Sequence, residues 1–368
     1  MVTTKLSFVD LQIRSFRNIN ELSLTELGRI NVISGNNGHG KTSALEAIYF
    51  VSTSRSFRAE KLRDLVAEGS EHCHVRAHIS EGGYVREQQA ALGPRSRKLQ
   101  IDGAKTTKIA EFATKTPVVV FHPGDLLLAS GPASLRRTLL DRVALFIEPP
   151  SAAHRRAYQK AVRERQRVLE ERGVRASELF AYEELMAKHG SALSRARARA
   201  AERLSEALSR AFCRMAAPNL KLRVEYEPGG TEDPELFLKT LAERRVSDQQ
   251  RRGAGFGPQK DELALSIDGR SARRHASQGQ QRILALAIKT AELHCVREAR
   301  GTHPVLLLDD VSSELDPTRI GAVYDFLRDT PGQVFVTTTR PNLFQTPGID
   351  SSLRRDFRLD CGALVDAD

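Results

Sequence analysis

Three phrases in this chain carry residue types that can act on a polyphosphate. Residues 35–42 read G-N-N-G-H-G-K-T: glycine, four residues, glycine, lysine, threonine. That is the spacing of a phosphate-cradling loop. Glycines let consecutive backbone N–H groups curl into a concavity that holds an anion at a helix N-terminus. Gly35, Asn36, Asn37, Gly38, His39 and Gly40 would form the cradle, with Ser43 just beyond it. Lys41 would bring an ammonium to the terminal phosphates, and Thr42 a hydroxyl to Mg²⁺. The second phrase is Val305-Leu306-Leu307-Leu308-Asp309-Asp310, a short apolar run ending in two carboxylates. Adjacent acids at the end of a buried strand are costly unless they face a cation or solvent, and such a strand end suits a Mg²⁺–phosphate ligand, here Asp309. The third phrase, Ser277-Gln278-Gly279-Gln280, opens an apolar helix (Ile283, Leu284, Leu286, Ala287, Ile288). A serine hydroxyl and free N–H groups at a helix start make an anion site, although a plain N-cap has the same composition.

Each phrase needs a supporting element. Ile30, Val32 and Ile33 predict a strand into the glycine loop, and Leu45, Ile48 and Tyr49 a helix out of it. With both in place, a glycine-rich turn that binds nothing is the weaker reading. Pro117 to Phe121 is a continuous apolar run and reads as a buried strand; Val334 to Thr339 reads as the last core strand. Leu6 to Ile13 alternates as a strand. Residues 72–102 alternate in short runs closing on Asp102-Gly103, a hairpin signal. They predict an antiparallel subdomain beside the loop. His72, His74 and His78 there suit either a metal site or a solvated strand face.

The 368 residues suit about two domains. Apolar content is 40% and no run approaches the roughly 18 residues of a membrane span. No apolar stretch follows Met1, so no secretory signal is expected. Cys73, Cys213, Cys295 and Cys361 are scattered, without a C-x-x-C pair. They fit a reducing compartment, and the cytoplasm is the expected location. The net charge of +10 suggests a polyanionic partner, nucleic acid first.

The phrase L-x-I-R-S-F-R-N (residues 11–18) ahead of the glycine loop resembles the opening of the RecF family, which groups with the SMC proteins and the wider ABC-type ATPases. Ser52 to Phe57 and the segment from Gly131-Pro132 to Asp141 extend the resemblance. Gly253 to Leu263 does too, with Gln259 where the family usually has histidine. The resemblance implies an α/β ABC-type ATPase head, a mixed sheet around the P-loop plus an antiparallel subdomain, with an inserted α-helical arm. Ser277, Gly279 and Gln280 match the ABC-type signature, with Ala276 in place of its leucine. Asp310 occupies the position of the general base, where most such ATPases use glutamate, and Ser313-Glu314-Leu315-Asp316 matches the D-loop. Thr338 or Thr339 stands where transporter-type relatives carry a histidine. Arg55 and Arg58 lie where such heads meet phosphate or DNA, or are solvated loop arginines.

From Ser151 to Ala217 the pattern is helical. Tyr158, Val162 and Leu169 mark one stripe; a second runs from Leu179 through Tyr182, Met186, Leu193, Ala196, Ala200, Leu204 and Leu208 to Phe212. Gly173 and Gly190 are the expected breaks. The reading is a short helical arm over 123–217, between an N-terminal half of the head (1–122) and a C-terminal half (218–368). Arg155, Arg156, Lys160, Arg163, Arg165 and Arg167 crowd its first helix, as a solvated face or a DNA contact. On α-helical spacing, Arg136 and Arg137 sit away from the apolar face of Leu135, Leu139 and Val143.

The resemblance implies a weak DNA-stimulated ATPase that uses ATP and Mg²⁺ and forms an ATP-dependent homodimer. Its implied partners are gapped or single-strand/double-strand junction DNA, RecO and RecR, with no membrane. Asp310 and Lys41 are the expected catalytic residues; Thr42 and Asp309 are the expected metal ligands. The alternatives are the ATPase subunit of a transporter and an SMC-like structural clamp. The charge and the opening phrase weigh against the first, and the short arm against the second.

Overall fold

The computed structural model describes residues 4–215, 220–310, 332–344 and 351–365. In chain order, strands β1 (Leu6–Phe16), β2 (Ile19–Leu24) and β3 (Ile30–Ser34) lead into α1 (Lys41–Thr53). Next come β4 (Cys73–Glu81), β5 (Tyr84–Leu92), β6 (Arg97–Ile101), β7 (Ala104–Lys105), α2 (Ile109–Lys115) and β8 (Val118–Phe121). The helical stretch holds α3 (Leu127–Ser130), α4 (Ala133–Ile147), α5 (Ser151–Arg172) and α6 (Glu178–Met215). Then follow β9 (Leu222–Glu227), α7 (Pro234–Glu243), α8 (Arg245–Arg251), β10 (Glu262–Ile267), β11 (Arg270–Ser271), α9 (Ala272–His275) and α10 (Gln278–Arg300). The chain ends through β12 (Val305–Leu308), β13 (Val334–Thr338), β14 (Arg354–Asp360) and β15 (Ala363–Val365).

Packing divides the chain into two compact units, residues 1–125 with 296–368, and residues 126–295. Of the C-terminal half read from the sequence (218–368), residues 220–295 pack instead with the helical insertion. Leu263, Leu265 and Ile267 on one face of β10 share a core with Leu204, Leu208 and Phe212 of α6.

The first unit holds two sheets. One is antiparallel, in the order β2-β1-β4-β5-β6-β7, with Asp102-Gly103 turning β6 into β7 as expected. The other runs β15-β14-β3-β13-β12-β8, and only β15 is antiparallel to its neighbour. β1 and β2 pair antiparallel, but β3 leaves them and lies parallel to β13 and β14. α1 is buried on nearly every side, and its Leu45, Ile48 and Phe50 join Phe8, Phe16, Ile33 and Phe335 in one core. Alternation in β4 buries Cys73, Val75, Ala77 and Ile79. The opposite, half-exposed face carries His74, held by Gln89, and His78, held by Asp10. His72 lies outside the strand, and among the described residues no metal-competent cluster includes these three histidines.

Val334 to Thr339 is not the last core strand: β14 follows and pairs with β3. Its sequence, R-R-D-F-R-L-D, hides a strand because five of seven residues are charged. Backbone pairing to β3 and burial of Leu359 carry it.

In the second unit α5 and α6 form the arm. Gly173 ends α5 at φ 81°, as expected. Gly190 is no break; it sits inside the 38-residue α6. A Cβ there would come within 2.7 Å of Phe237 and 2.8 Å of Tyr158, so glycine is required by close approach, not by a turn. The arginines also differ from expectation. Arg165 is 1% exposed, bonded to Glu183 (3.0 Å), Asp248 (2.8 Å) and the Leu241 carbonyl (2.8 Å). Arg136 is buried against Glu262, and Arg137 donates to the Asp261 carbonyl. Arg155 pairs with Asp141. Arg156, Lys160, Arg163 and Arg167 are exposed, as a solvated or ligand-facing surface requires. Among the described residues no helix is long and apolar enough to cross a membrane.

Candidate nucleotide site

The glycine loop spans the gap between the end of β3 and the start of α1. Gly35, at φ 150°, passes so close to β14 that a Cβ would lie 2.3 Å from the Leu359 carbonyl oxygen. Only glycine fits that approach. Lys41 opens α1 with its ammonium folded back over the loop: Nζ donates to the carbonyls of Gly35 and Asn36, each at 2.8 Å. Burial pushes its pKa below the ordinary lysine value, against the opposing pull of Asp310 and Asp309.

Asn18 straps the loop from outside. Its Nδ2 donates to the Gly38 carbonyl at 2.7 Å, and its Oδ1 accepts from the Ser43 hydroxyl at 2.7 Å. Its neighbour Arg17 makes two bonds to Glu46 of α1 (2.9 and 3.1 Å), whose carboxylate is fully buried and also accepts from Ser56. The R-N pair of the opening phrase therefore anchors both the loop and the helix behind it. In the sequence Arg17 and Asn18 stand only as a mark of resemblance. Their side-chain roles carry no local signal, because the partners lie 20 to 29 residues away.

The paired aspartates meet the loop. Thr42 Oγ1 donates to Asp309 Oδ1 at 2.8 Å, and Thr337 Oγ1 of β13 donates to the same oxygen at 2.9 Å. Thr337 Oγ1 in turn accepts from the Asp310 N–H at 2.9 Å. Asp310 sits at φ 47°, in the left-handed region that aspartate tolerates better than most residues. A threonine hydroxyl and a buried carboxylate in direct contact form an all-oxygen donor pair, which fits Mg²⁺ and not a thiophilic ion. Ser313-Glu314-Leu315-Asp316 lies outside the described residues.

In the second unit the Ser277 phrase forms a reciprocal cap on α10. Gln280 N–H donates to Ser277 Oγ (3.2 Å) and Ser277 N–H donates to Gln280 Oε1 (2.9 Å). Ser277 is exposed, and Gly279 and Gln280 are half-buried. Gln259 accepts from Tyr158 at 2.5 Å and donates to the carbonyls of Ala254 (3.0 Å) and Phe256 (2.8 Å). It ties the 254–258 loop to α5. Thr338 is buried, and its Oγ1 accepts from the Arg340 N–H at 2.9 Å. Arg55 and Arg58 are exposed.

The family model for the RecF/RecN/SMC N terminal domain matches residues 7–353. The DNA replication and repair protein RecF of Geobacter sulfurreducens is 37% identical over 362 residues, covering 96% of this chain and 98% of that one. The RecF of an Anaeromyxobacter species is 36% identical over 349 residues, covering 92% and 94%. The chain belongs to the RecF family.

The structural comparison agrees. A solved structure of the recombination mediator protein RecF with ATP, from the RecFOR pathway, superposes with a TM-score of 0.86 at 26% identity, covering 100% of this chain and 98% of that one. The Smc head domain of Pyrococcus furiosus superposes at 0.55 with 15% identity, covering 98% and 95%, a likeness of fold alone. The fold is thus that of RecF and SMC heads: an α/β ABC-type ATPase head with an antiparallel subdomain and an inserted helical arm. In this RecF-family chain the loop, Thr42, Asp309, Asp310 and Thr337 lie together in one unit, while the Ser277 phrase belongs to the other.

Proposed function

We propose that the chain is an ATP-dependent DNA-binding protein of recombinational repair, which dimerises on ATP, hydrolyses it slowly and acts with RecO and RecR on gapped or junction DNA. The observation that carries the reading is the Thr42–Asp309–Thr337 hydrogen-bonded set at the mouth of the glycine loop. It joins the two phrases that the sequence separates by 267 residues. The RecF relatives weigh against the transporter alternative.

The cradle of Gly35, Asn36, Asn37, Gly38, His39 and Gly40 holds the phosphates by backbone N–H groups. Lys41 trades the Gly35 and Asn36 carbonyls for phosphate oxygens, so its charge is already aimed before nucleotide arrives. Thr42 and Asp309 would hold Mg²⁺, which supplies charge neutralisation on the phosphates. Asp310 orients and polarises the attacking water as general base. Its side chain is one methylene shorter than glutamate, which suits slow turnover. Ser277, Gly279 and Gln280 act in trans, their exposed helix start facing the γ-phosphate held by a second copy. Nucleotide is then part of the interface, and ATP and ADP differ in how strongly they drive dimerisation.

Two substitutions separate these roles. Asp310→Asn is expected to retain ATP binding and dimerisation while turnover falls by about 100-fold or more; phosphate release measured on the dimer checks it, and wild-type release refutes the assignment. Ser277→Arg is expected to leave ATP affinity of the monomer unchanged and to abolish the ATP-driven dimer. Light scattering that still showed a dimer would rule out the trans arrangement. The proposal as a whole is tested by gel filtration with ATP, ADP or no nucleotide, with and without gapped duplex DNA. An ATP-specific dimer that co-elutes with DNA is expected; an elution volume indifferent to nucleotide and DNA refutes it. DNA affinity should also fall steeply with salt if several of the exposed arginines meet phosphates.

A further inference from the structure

The turn between β14 and β15 lies against the glycine loop. Gly362 N–H donates to the His39 carbonyl at 3.2 Å, and a Cβ on Gly40 would lie 3.3 Å from the Gly362 Cα. Asp360 ends β14 and Cys361 opens the turn that Gly362 completes. The His39 ring nitrogen Nδ1 sits 3.0 Å from Asp360 Oδ1. One ligand atom each from His39, Asp360 and Cys361 falls within 4.8 Å of the others, the single such group among the described residues. His39 is half-buried and the other two are exposed, so an ion could reach all three from solvent.

We propose that His39, Asp360 and Cys361 form a binding site for a thiophilic divalent cation of the Zn²⁺ class, distinct from the oxygen-lined Thr42–Asp309 position. The donor chemistry decides the class. Nitrogen, sulfur and carboxylate oxygen together suit Zn²⁺ and its borderline-soft neighbours, and disfavour Mg²⁺ and Ca²⁺, which take oxygen. Tetrahedral ligands about 2.0–2.3 Å from zinc stand roughly 3.3–3.8 Å apart. The 3.0 Å His39–Asp360 pair needs to open only slightly to admit the ion. Three protein ligands leave a fourth position for water. On binding, the Cys361 S–H bond is replaced by a sulfur–metal bond and the proton leaves to solvent. His39 binds as neutral imidazole and Asp360 as carboxylate. Without a cation, Asp360 raises the Cys361 pKa by its hydrogen bond and its charge. A bound cation reverses that pull.

The ion would tie the β14–β15 turn to position 39 of the loop. The binding claim does not depend on the nucleotide reading, and its test contains no nucleotide. The full chain, reduced and stripped of metal, is titrated with Co²⁺ as a spectroscopic substitute. One equivalent should bind with a thiolate-to-cobalt charge-transfer band in the near ultraviolet, and Zn²⁺ should displace it. Cys361→Ser should lose the band, and His39→Ala should bind at least about tenfold more weakly, as loss of a first ligand requires. Cys213→Ser, which removes the other exposed thiol, should retain both band and affinity. In that Cys213→Ser background, Zn²⁺ should slow the reaction of the remaining exposed thiol with a disulfide reagent. Circular dichroism confirms that each variant is folded. Absence of the band in the wild type, its survival in Cys361→Ser, or a thiol reactivity indifferent to Zn²⁺ overturns the proposal.

Discussion

Lys41→Ala is expected to abolish useful ATP binding while leaving the fold intact. The ammonium is held by two loop carbonyls at 2.8 Å, and no hydrogen bond of the surrounding core runs through it among the described residues. Truncating one member of a desolvated charged contact costs about 2–5 kcal/mol. At about 1.4 kcal/mol per decade, the low end of that range already weakens ATP roughly 30-fold. Isothermal titration with ATP measures the loss, and an unchanged melting temperature shows that it is not unfolding. A folded Lys41→Ala protein with wild-type ATP affinity would remove the glycine loop from the nucleotide site. The same substitution bears on charge balance. Asp309 and Asp310 both raise the Lys41 pKa, so removing the ammonium leaves two neighbouring acids without that cation. Any Mg²⁺ affinity in the absence of ATP should therefore persist or rise in the variant.

Arg165→Met is expected to destabilise the helical arm by about 3–5 kcal/mol, the range for breaking a buried ion pair by removing one partner. Glu183 and Asp248 are both fully buried. Arg245, which donates to Glu183 at 2.5 Å, is untouched by the substitution. Asp248 loses the Arg165 guanidinium and keeps the Gly255 N–H at 2.9 Å, so it bears most of the loss. The chain has no tryptophan, so helix content by circular dichroism during urea unfolding is the appropriate readout. Arg163→Met is the control. It removes the same charge from the exposed face of the same helix and should stay within about 0.5 kcal/mol of wild type. Equal midpoints for the two variants would show that the buried network contributes nothing.

These two lysine and arginine positions mark how unevenly the molecule can be read from its sequence. Lys41 is legible because its role follows from a fixed spacing to Gly35 and Gly40 between a strand and a helix. Asp309 is legible for the same kind of reason, as an acid ending an apolar strand. Arg165 was not, because an arginine among arginines on one helix reads as a solvated stripe. Only Glu183 and Asp248, 18 and 83 residues away, turn it into a core residue. Arg136 and Arg137 fall in the same class, with partners more than 120 residues distant. Gly190 is deceptive in sequence for a related reason. A glycine in a helical pattern signals a break locally, whereas here the neighbouring Tyr158 and Phe237 rings exclude a side chain. β14 has no signature in the sequence because backbone pairing to β3, not apolar alternation, holds it.

By itself, then, the sequence determined the glycine loop, the acidic strand end, the capped helix start at Ser277, the antiparallel hairpins and the two-helix arm. All depend on periodicity or on spacing of a few residues, which the chain carries in linear order. Tertiary structure alone decided that Thr42 and Thr337 share Asp309 Oδ1, that Asn18 straps the loop, and that residues 220–295 pack with the arm. It alone brought Asp360 and Cys361 to His39, across more than 300 residues of chain. The physical reason is common to all four. Hydrogen bonds, ion pairs and apolar side-chain contacts act over about 3–4 Å in space and leave no trace of their partners in sequence distance.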